Sequence, residues 1–193
     1  FIKRLRGRFP MYKGLVQDNI IFVERCEGVG VISKEVALEY GITGPCLRAS
    51  GIAYDVRRAE PYGGYEKFDF EIPTRTAGDC MARFEVRMAE MEQSCRIIEQ
   101  AVAALPEGPI GPDRLIQRLK PPEGMFYFAV ESARGHYGQY IVSDGSNTPV
   151  RMKLRTPSFS NLASMVNVLK CTMIADTIAT VGSIDIVLPE IDR

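Results

Sequence analysis

The residues of this 193-residue chain that could do chemistry are few, and the most suggestive of them gather near its end. The last stretch, SIDIVLPEIDR (Ser183 to Arg193), interleaves Ile184, Ile186, Leu188 and Ile191 with Asp185, Glu190 and Asp192, and closes on a guanidinium beside the terminal carboxylate. Terminal segments are ordinarily polar and frayed. This pattern predicts instead a buried end, in which Asp185 needs a partner that Arg193 can supply, the alternative being that another acid holds Arg193. A second candidate is Arg134 in ESARGHYGQYIVSDGS, a cation in a tight turn between two apolar runs. Beside it, Gly135 lets backbone approach a neighbour or ligand closely, and an arginine held at such a turn can position an anion or a carbonyl. On pattern alone both residues also read as structural: a satisfied carboxylate, and an exposed hairpin arginine.

Other chemistries lack their parts. His136 is the only histidine and no G-x-S-x-G elbow accompanies it, so serine-hydrolase chemistry is not indicated, and it reads as a turn-flanking polar residue. Cys26, Cys46, Cys80, Cys95 and Cys171 form no C-x-x-C pair, which predicts reduced, mostly buried thiols and no zinc or iron site. EGVGV and PYGGY lack the spacing of a dinucleotide fingerprint, and there is no Walker lysine motif. Twenty-four basic and twenty-four acidic residues cancel, leaving no electrostatic footprint for nucleic acid. No run approaches the roughly 18 apolar residues of a membrane span.

The elements that must position these residues follow from periodicity and punctuation. NIIFV (19–23) is strand-like; Ser33 caps a short helix to about Tyr40 that stops at Gly41; GITGPCLRASG reads as a close-packed loop; and KFDFEIP alternates as a short strand. Cys80, Phe84, Met88, Met91, Cys95, Ile98, Val102 and Leu105 recur in steps of three or four, predicting one long amphipathic helix over about 78–105 with Asp79 at its start and a Glu92–Arg96 pair. A basic helical turn, DRLIQRLKPP, precedes three strand-like runs, MFYFAVE, HYGQYIVS and PVRMKLR, which predict an antiparallel meander. SFSNLASMVNVLKCTMIADTIATVG then reads as a second apolar helix, capped by Ser158 or Ser160 and ended by Gly182. The class is α+β, two major helices beside a small antiparallel sheet, in one unit: 1–76 mixed, 77–106 the long helix, 107–156 turn and meander, 157–193 helix and buried tail.

Several tracts taken in order, ERCEGVGVIS, GITGPCLRASGIAYDVRRAEPYGGYEKFDFEIP, GDCMARFEVRMAEMEQSCRIIEQ, YIVSDGSNTPVRMKLRTPSFSNL and GSIDIVLPEIDR, resemble the C-terminal half of the D-type subunit of proton-pumping NADH:quinone oxidoreductase, respiratory complex I. With Phe1 at the start and no counterpart of that family's H-R-G-x-E-K region, the chain reads as a C-terminal fragment, expected to be inactive alone. The family is related to the large subunit of nickel–iron hydrogenases. The resemblance implies that Val187 and Glu190 stand where those enzymes hold metal through cysteines, and that the former metal cavity is now part of a quinone-reduction pocket. Val187 would then be wall surface, Asp185 and Arg193 would shape charge at the floor, and Arg134 and Gly135 would match the family's R-G or K-G loop, with Ser143 on the strand-turn beside it. Family members commonly read RGE there, and this chain reads RGH.

No catalytic residue is assigned, and no cofactor is expected on the chain itself. By the same resemblance, quinone is the substrate, an iron–sulfur cluster lies in a neighbouring subunit, and NADH is oxidised elsewhere in the complex. The implied partners are that cluster-bearing neighbour, a C-type neighbour and the membrane arm. The implied location is peripheral to the membrane, on the cytoplasmic face in a bacterium or the matrix side in a mitochondrion. The alternative reading is a non-catalytic assembly module of such a complex.

Overall fold

The computed structural model describes residues 1–109, 111 and 120–192. The predicted basic turn around 113–119 and the terminal Arg193 lie outside them. Short helices α1 (Ile2–Arg6), α2 (Phe9–Tyr12) and α3 (Ile20–Cys26) lead to α4 (Lys34–Glu39), α5 (Pro45–Ala49) and α6 (Val56–Ala59). The long α7 (Cys80–Ala103) follows, then strands β1 (Gly124–Ser132), β2 (Gly135–Ser143) and β3 (Arg151–Arg155), and helices α8 (Pro157–Ala163), α9 (Met165–Val168), α10 (Ile174–Ile184) and α11 (Leu188–Ile191). The expected α+β class holds.

The meander forms as its sequence predicts. The sheet order is β1-β2-β3, both pairings are antiparallel, and Ser132 faces Gly135 across a two-residue turn, Ala133–Arg134. Helix α7 is anchored by Asp79, whose Oδ1 accepts from Ala82 N–H at 2.7 Å while Oδ2 accepts from Gly28 N–H at 2.8 Å. Ser33 caps α4 by accepting from Val36 N–H, again as predicted. The main core gathers Ile32, Ala37, Ile42, Cys46, Leu47, Met165, Val168 and Ile184, so of the tail only Ile184 is buried in it; the buried end predicted beyond is not found, since α11 buries no residue and Leu188 is 77% exposed.

Several predictions are corrected. The NIIFV run is helical: Asn19 Oδ1 accepts from Ile21 N–H at 2.9 Å, and Phe22 packs edge-on against Phe84 of α7 with ring centres 5.0 Å apart. A cap and a tertiary contact thus outweigh the β preference of Ile-Ile-Phe-Val. GITGPCLRASG contains α5, started by Pro45 at its first turn and buried along its length. KFDFEIP forms no strand, because the backbone amides of Asp69 and Glu71 donate to the side chains of Gln100 and Gln93 on α7. The extended segment finds helix side chains where a sheet neighbour was expected.

The long helix buries two seams, not one stripe. Cys80 and Cys95 are buried as expected, but so are Ala82, Arg83, Val86 and Ile97, while Met91, Ile98, Val102 and Leu105 are exposed. Ala49 of α5 meets Ala82 and Val86, where small side chains allow close approach. The Glu92–Arg96 pair does not form; Glu92 bonds Arg6 of α1 at 2.7 Å, and Arg96 reaches Asp69. The second apolar helix is three helices, interrupted at Cys171, whose φ is +59°. Pro157 after Thr156 opens it, neither Ser158 nor Ser160 serves as cap, and Gly182 lies inside α10, which ends at left-handed Asp185.

Candidate functional site

The hairpin turn that carries Arg134 is fixed by backbone contact with the entry to α5. A Cβ on Gly44 would lie 2.2 Å from Arg134 O, and one on Gly135 would lie 2.5 Å from Gly44 N. Both glycines have positive φ, +69° and +129°, so they supply conformation as well as space. Thr43 is held in turn by Asn161 of α8: its N–H donates to Asn161 Oδ1 at 3.1 Å. Within the turn, Arg134 N–H donates to Ser132 Oγ and that hydroxyl donates to Gly135 O.

So placed, Arg134 reaches the tail. Its Nε donates to Asp185 O at 2.9 Å, and Nη2 lies 3.3 Å from Asp185 Oδ2. Asp185 sits at φ +60°, ψ +57° at the end of α10. The guanidinium therefore satisfies a terminal helix carbonyl, complements the negative end of the helix, and pairs with a carboxylate. Both side chains are partly exposed, 26% for Arg134 and 47% for Asp185, which keeps the ion pair itself weak. The cation predicted for Asp185 is thus Arg134; Arg193 is outside the described residues.

Beyond Asp185 the chain turns into α11, which leans on α8. Ser158 Oγ donates to Glu190 Oε2 at 2.5 Å, Ser158 N–H approaches the same oxygen at 3.4 Å, and Thr156 Oγ1 donates to Glu190 O. Val187 N–H in turn lies 3.4 Å from Ser158 Oγ. Leu188, Pro189, Ile191 and Asp192 line an open concavity of about 600 Å³. Asp185 borders another cleft of about 580 Å³, walled by Phe22, Cys26, Cys80, Phe84 and Ala179 from α3, α7 and α10. Val187, half-buried, is a lining residue of neither opening. Ser143 is not brought to this place: it closes the far end of β2, eight residues and roughly 27 Å of strand from Gly135 at ~3.4 Å per residue. There its hydroxyl bonds Pro121 O and accepts from Gly145 N–H.

Two polar arrangements near the hairpin were not foreseen. His136 is not a simple turn residue: Tyr127 Oη lies 2.8 Å from its Nε2, and Tyr54 Oη 3.5 Å from its Nδ1. Burial, and then the Arg155 guanidinium, push the imidazole below its ordinary value. The register held a clue, since Tyr127 and His136 share a sheet face and a Cβ on Gly138 would stand 2.7 Å from Tyr127 Oη. Arg48, 1% exposed, donates to Glu90 Oε1 at 2.5 Å, Glu131 Oε1 at 2.8 Å and Tyr54 O at 2.9 Å. Burial raises Glu131 in spite of that pairing. Burial alone would raise Asp55 too, but its hydrogen bonds and charge contact with Arg57 hold it below the usual carboxylate range. Nothing local in the sequence distinguishes Arg48 from a surface arginine.

Among the described residues no group of three or more His, Cys, Asp or Glu side chains is arranged to hold a metal ion, and no helix is long and apolar enough to cross a membrane. Residues 1–193 match the model for the 49 kDa subunit of respiratory-chain NADH dehydrogenase, and the chain belongs to that family. It is similar to the D-type subunit of the NADH-quinone oxidoreductase of Syntrophobacter fumaroxidans, with 56% identity over 193 residues, and to that of Desulfotalea psychrophila, with 50% over 193. The second D-type subunit of the NADH-quinone oxidoreductase of Solibacter usitatus is 47% identical over 193 residues. Each alignment takes in all of this chain and 52% of the relative, so the chain spans about half the length of the curated relatives it matches.

Proposed function

We propose that the chain works within a proton-translocating NADH:quinone oxidoreductase, as the part of the D-type subunit that walls the quinone-reduction pocket. The observation that carries the reading is the Arg134–Asp185 junction, which joins a rigid hairpin to the apolar tail in a chain that matches the family over its whole length. A quinone needs an apolar slot with a few polar groups facing its carbonyls. Leu188 and Ile191 line one opening and Asp185, paired with Arg134, borders the other; in this reading Val187, in the segment that joins them, would supply wall surface once the neighbouring subunits close the slot. In this reading Val187 and Glu190 stand where hydrogenase-like ancestors held metal through thiolates. An apolar side chain and a carboxylate engaged by Ser158 now fill those places.

Electrons would arrive from an iron–sulfur cluster held by a neighbouring subunit, with NADH oxidised farther away in the complex. The chain's own residues shape the slot and orient the headgroup. Its partners would be that cluster-bearing neighbour, a C-type neighbour and the membrane arm, at the cytoplasmic face of a bacterial membrane or the matrix side of a mitochondrial one. Alone, the chain is expected to be inactive. A purely structural role is the competing reading, favoured by the exposed isoleucines of α3 and α10. Val187→Met in the assembled complex separates the two: the pocket role predicts a several-fold change in quinone KM or inhibitor sensitivity with assembly intact. Unchanged kinetics and inhibitor response would leave only the packing role.

A further inference from the structure

Two of the five cysteines line the same cleft. Cys26 closes α3, Cys80 opens the 24-residue α7, and both line the 580 Å³ cleft that Phe22, Phe84 and Ala179 also border. The backbone holds the two ends together: Cys80 N–H donates to Val29 O at 3.0 Å, and Gly28 N–H donates to the Asp79 carboxylate at 2.8 Å. Burial first, then the charge of Cys80 and of Asp79, push the Cys26 thiol up.

Cys80 has Arg83 as its neighbour; Cys46 is also set among arginines, with Arg87 bonded to it, but it does not line the cleft. The Arg83 guanidinium is fully buried, and it donates to Gly78 O at 2.7 Å, Gly30 O at 2.9 Å, Ser183 Oγ at 3.0 Å and the Cys80 sulfur at 3.3 Å. None of the ion pairs among the described residues includes it, so a full positive charge stands against sulfur and neutral oxygens. A cysteine at a helix start beside an arginine is the setting of a reactive thiol, and a second thiol alongside is the setting of a resolving one. Cys46 and Cys95 are also buried, but neither lines this cleft, and Cys171 is exposed on the α9–α10 connection.

We propose that Cys26 and Cys80 form a dithiol site that responds to peroxides. The Cys80 sulfur attacks one peroxide oxygen and the O–O bond breaks, giving a sulfenic acid and one water from hydrogen peroxide. The Cys26 sulfur then attacks the Cys80 sulfur, the S–O bond breaks, and a second water leaves with the Cys26 proton. Two thiols are oxidised by two electrons to a disulfide, and one peroxide is reduced to two waters. The bond ties α3 to α7 across a cleft whose other rim is Asp185. It stands independently of the quinone reading, because it needs only this cleft and these residues.

The test uses the full chain, reduced, freed of reductant, treated with hydrogen peroxide and mapped by mass spectrometry. The expected product is a Cys26–Cys80 linked peptide pair, removed by dithiothreitol and formed about tenfold faster than oxidation of Cys46 or Cys95. In Cys26→Ser a dimedone adduct should accumulate on Cys80, and in Cys80→Ser neither product should form, with circular dichroism confirming that both variants are folded. The wild-type chain alone can overturn the proposal: Cys80 reacting no faster than Cys46, a sulfenic acid on Cys80 that never becomes the Cys26 linkage, or linkage only through Cys171 would each do so.

Discussion

At the scale of single residues, the site rests on one arginine doing three jobs. Arg134→Ala removes the donor to Asp185 O, the positive charge at the end of α10 and the contact to the carboxylate, of which the hydrogen bond matters most. A loss of about 1 kcal/mol is expected, read as a lower urea midpoint with unchanged slope. His136 gives a pH signature. Its folded-state value is depressed below 6.5, so the unfolded chain binds the proton more readily; its contribution is present above pH 6.5 and is lost as pH falls through the folded value. His136→Gln should therefore flatten the stability profile on the acid side of pH 6.5 in urea titrations at successive pH values. Asp185, Arg134 and Gly135 were visible in the sequence because a charge beside a glycine, or among isoleucines, is locally odd. Arg48 was not, since the two carboxylates that it bonds most closely lie 42 and 83 residues away, and Asp55, seven residues on at 3.8 Å, gives no helical or strand spacing to betray the pair.

At the scale of elements, Asp79 joins two pieces of structure with one carboxylate. Its loss orphans the buried amide of Ala82 at the helix start and releases the more exposed amide of Gly28. Asp79→Ala should cost about 2–3 kcal/mol, more than an exposed cap such as Asn19, measured by chemical denaturation followed at 222 nm. Hairpins and caps were legible because turn chemistry and alternation act within a few residues. The strand predicted at NIIFV failed because its conformation is decided by Phe84, more than sixty residues away. KFDFEIP failed for a related reason: extended backbone was foreseen, but its hydrogen-bond partners are glutamine side chains that no periodicity announces. The stripe on α7 was real as a pattern. Two seams formed because α5 and α10 approach this helix from different sides.

At the scale of the whole molecule, the apolar surface is unevenly spent. Ile174 is 92% exposed and Ile178 80%, one helical turn apart on α10, while Ile20 and Ile21 stand exposed on neighbouring α3. A helix apolar on all sides belongs in an interior. The chain by itself should therefore bind a hydrophobic dye and self-associate. The double change Ile174→Glu with Ile178→Glu should reduce both, as measured by dye fluorescence and sedimentation velocity, without changing the far-ultraviolet spectrum.

The contact between Gly44 and Gly135 has a mechanical corollary. Two main chains touching with no side chain between them have no compliant material at the joint, so the meander and the α5 segment must travel as one stiff body. Arg134 links that body to the C-cap carbonyl of α10, so the tail is tied to the hairpin through one side chain. The glycine pair is thus where the sheet and the α5 segment meet main chain to main chain, at the root of the hairpin.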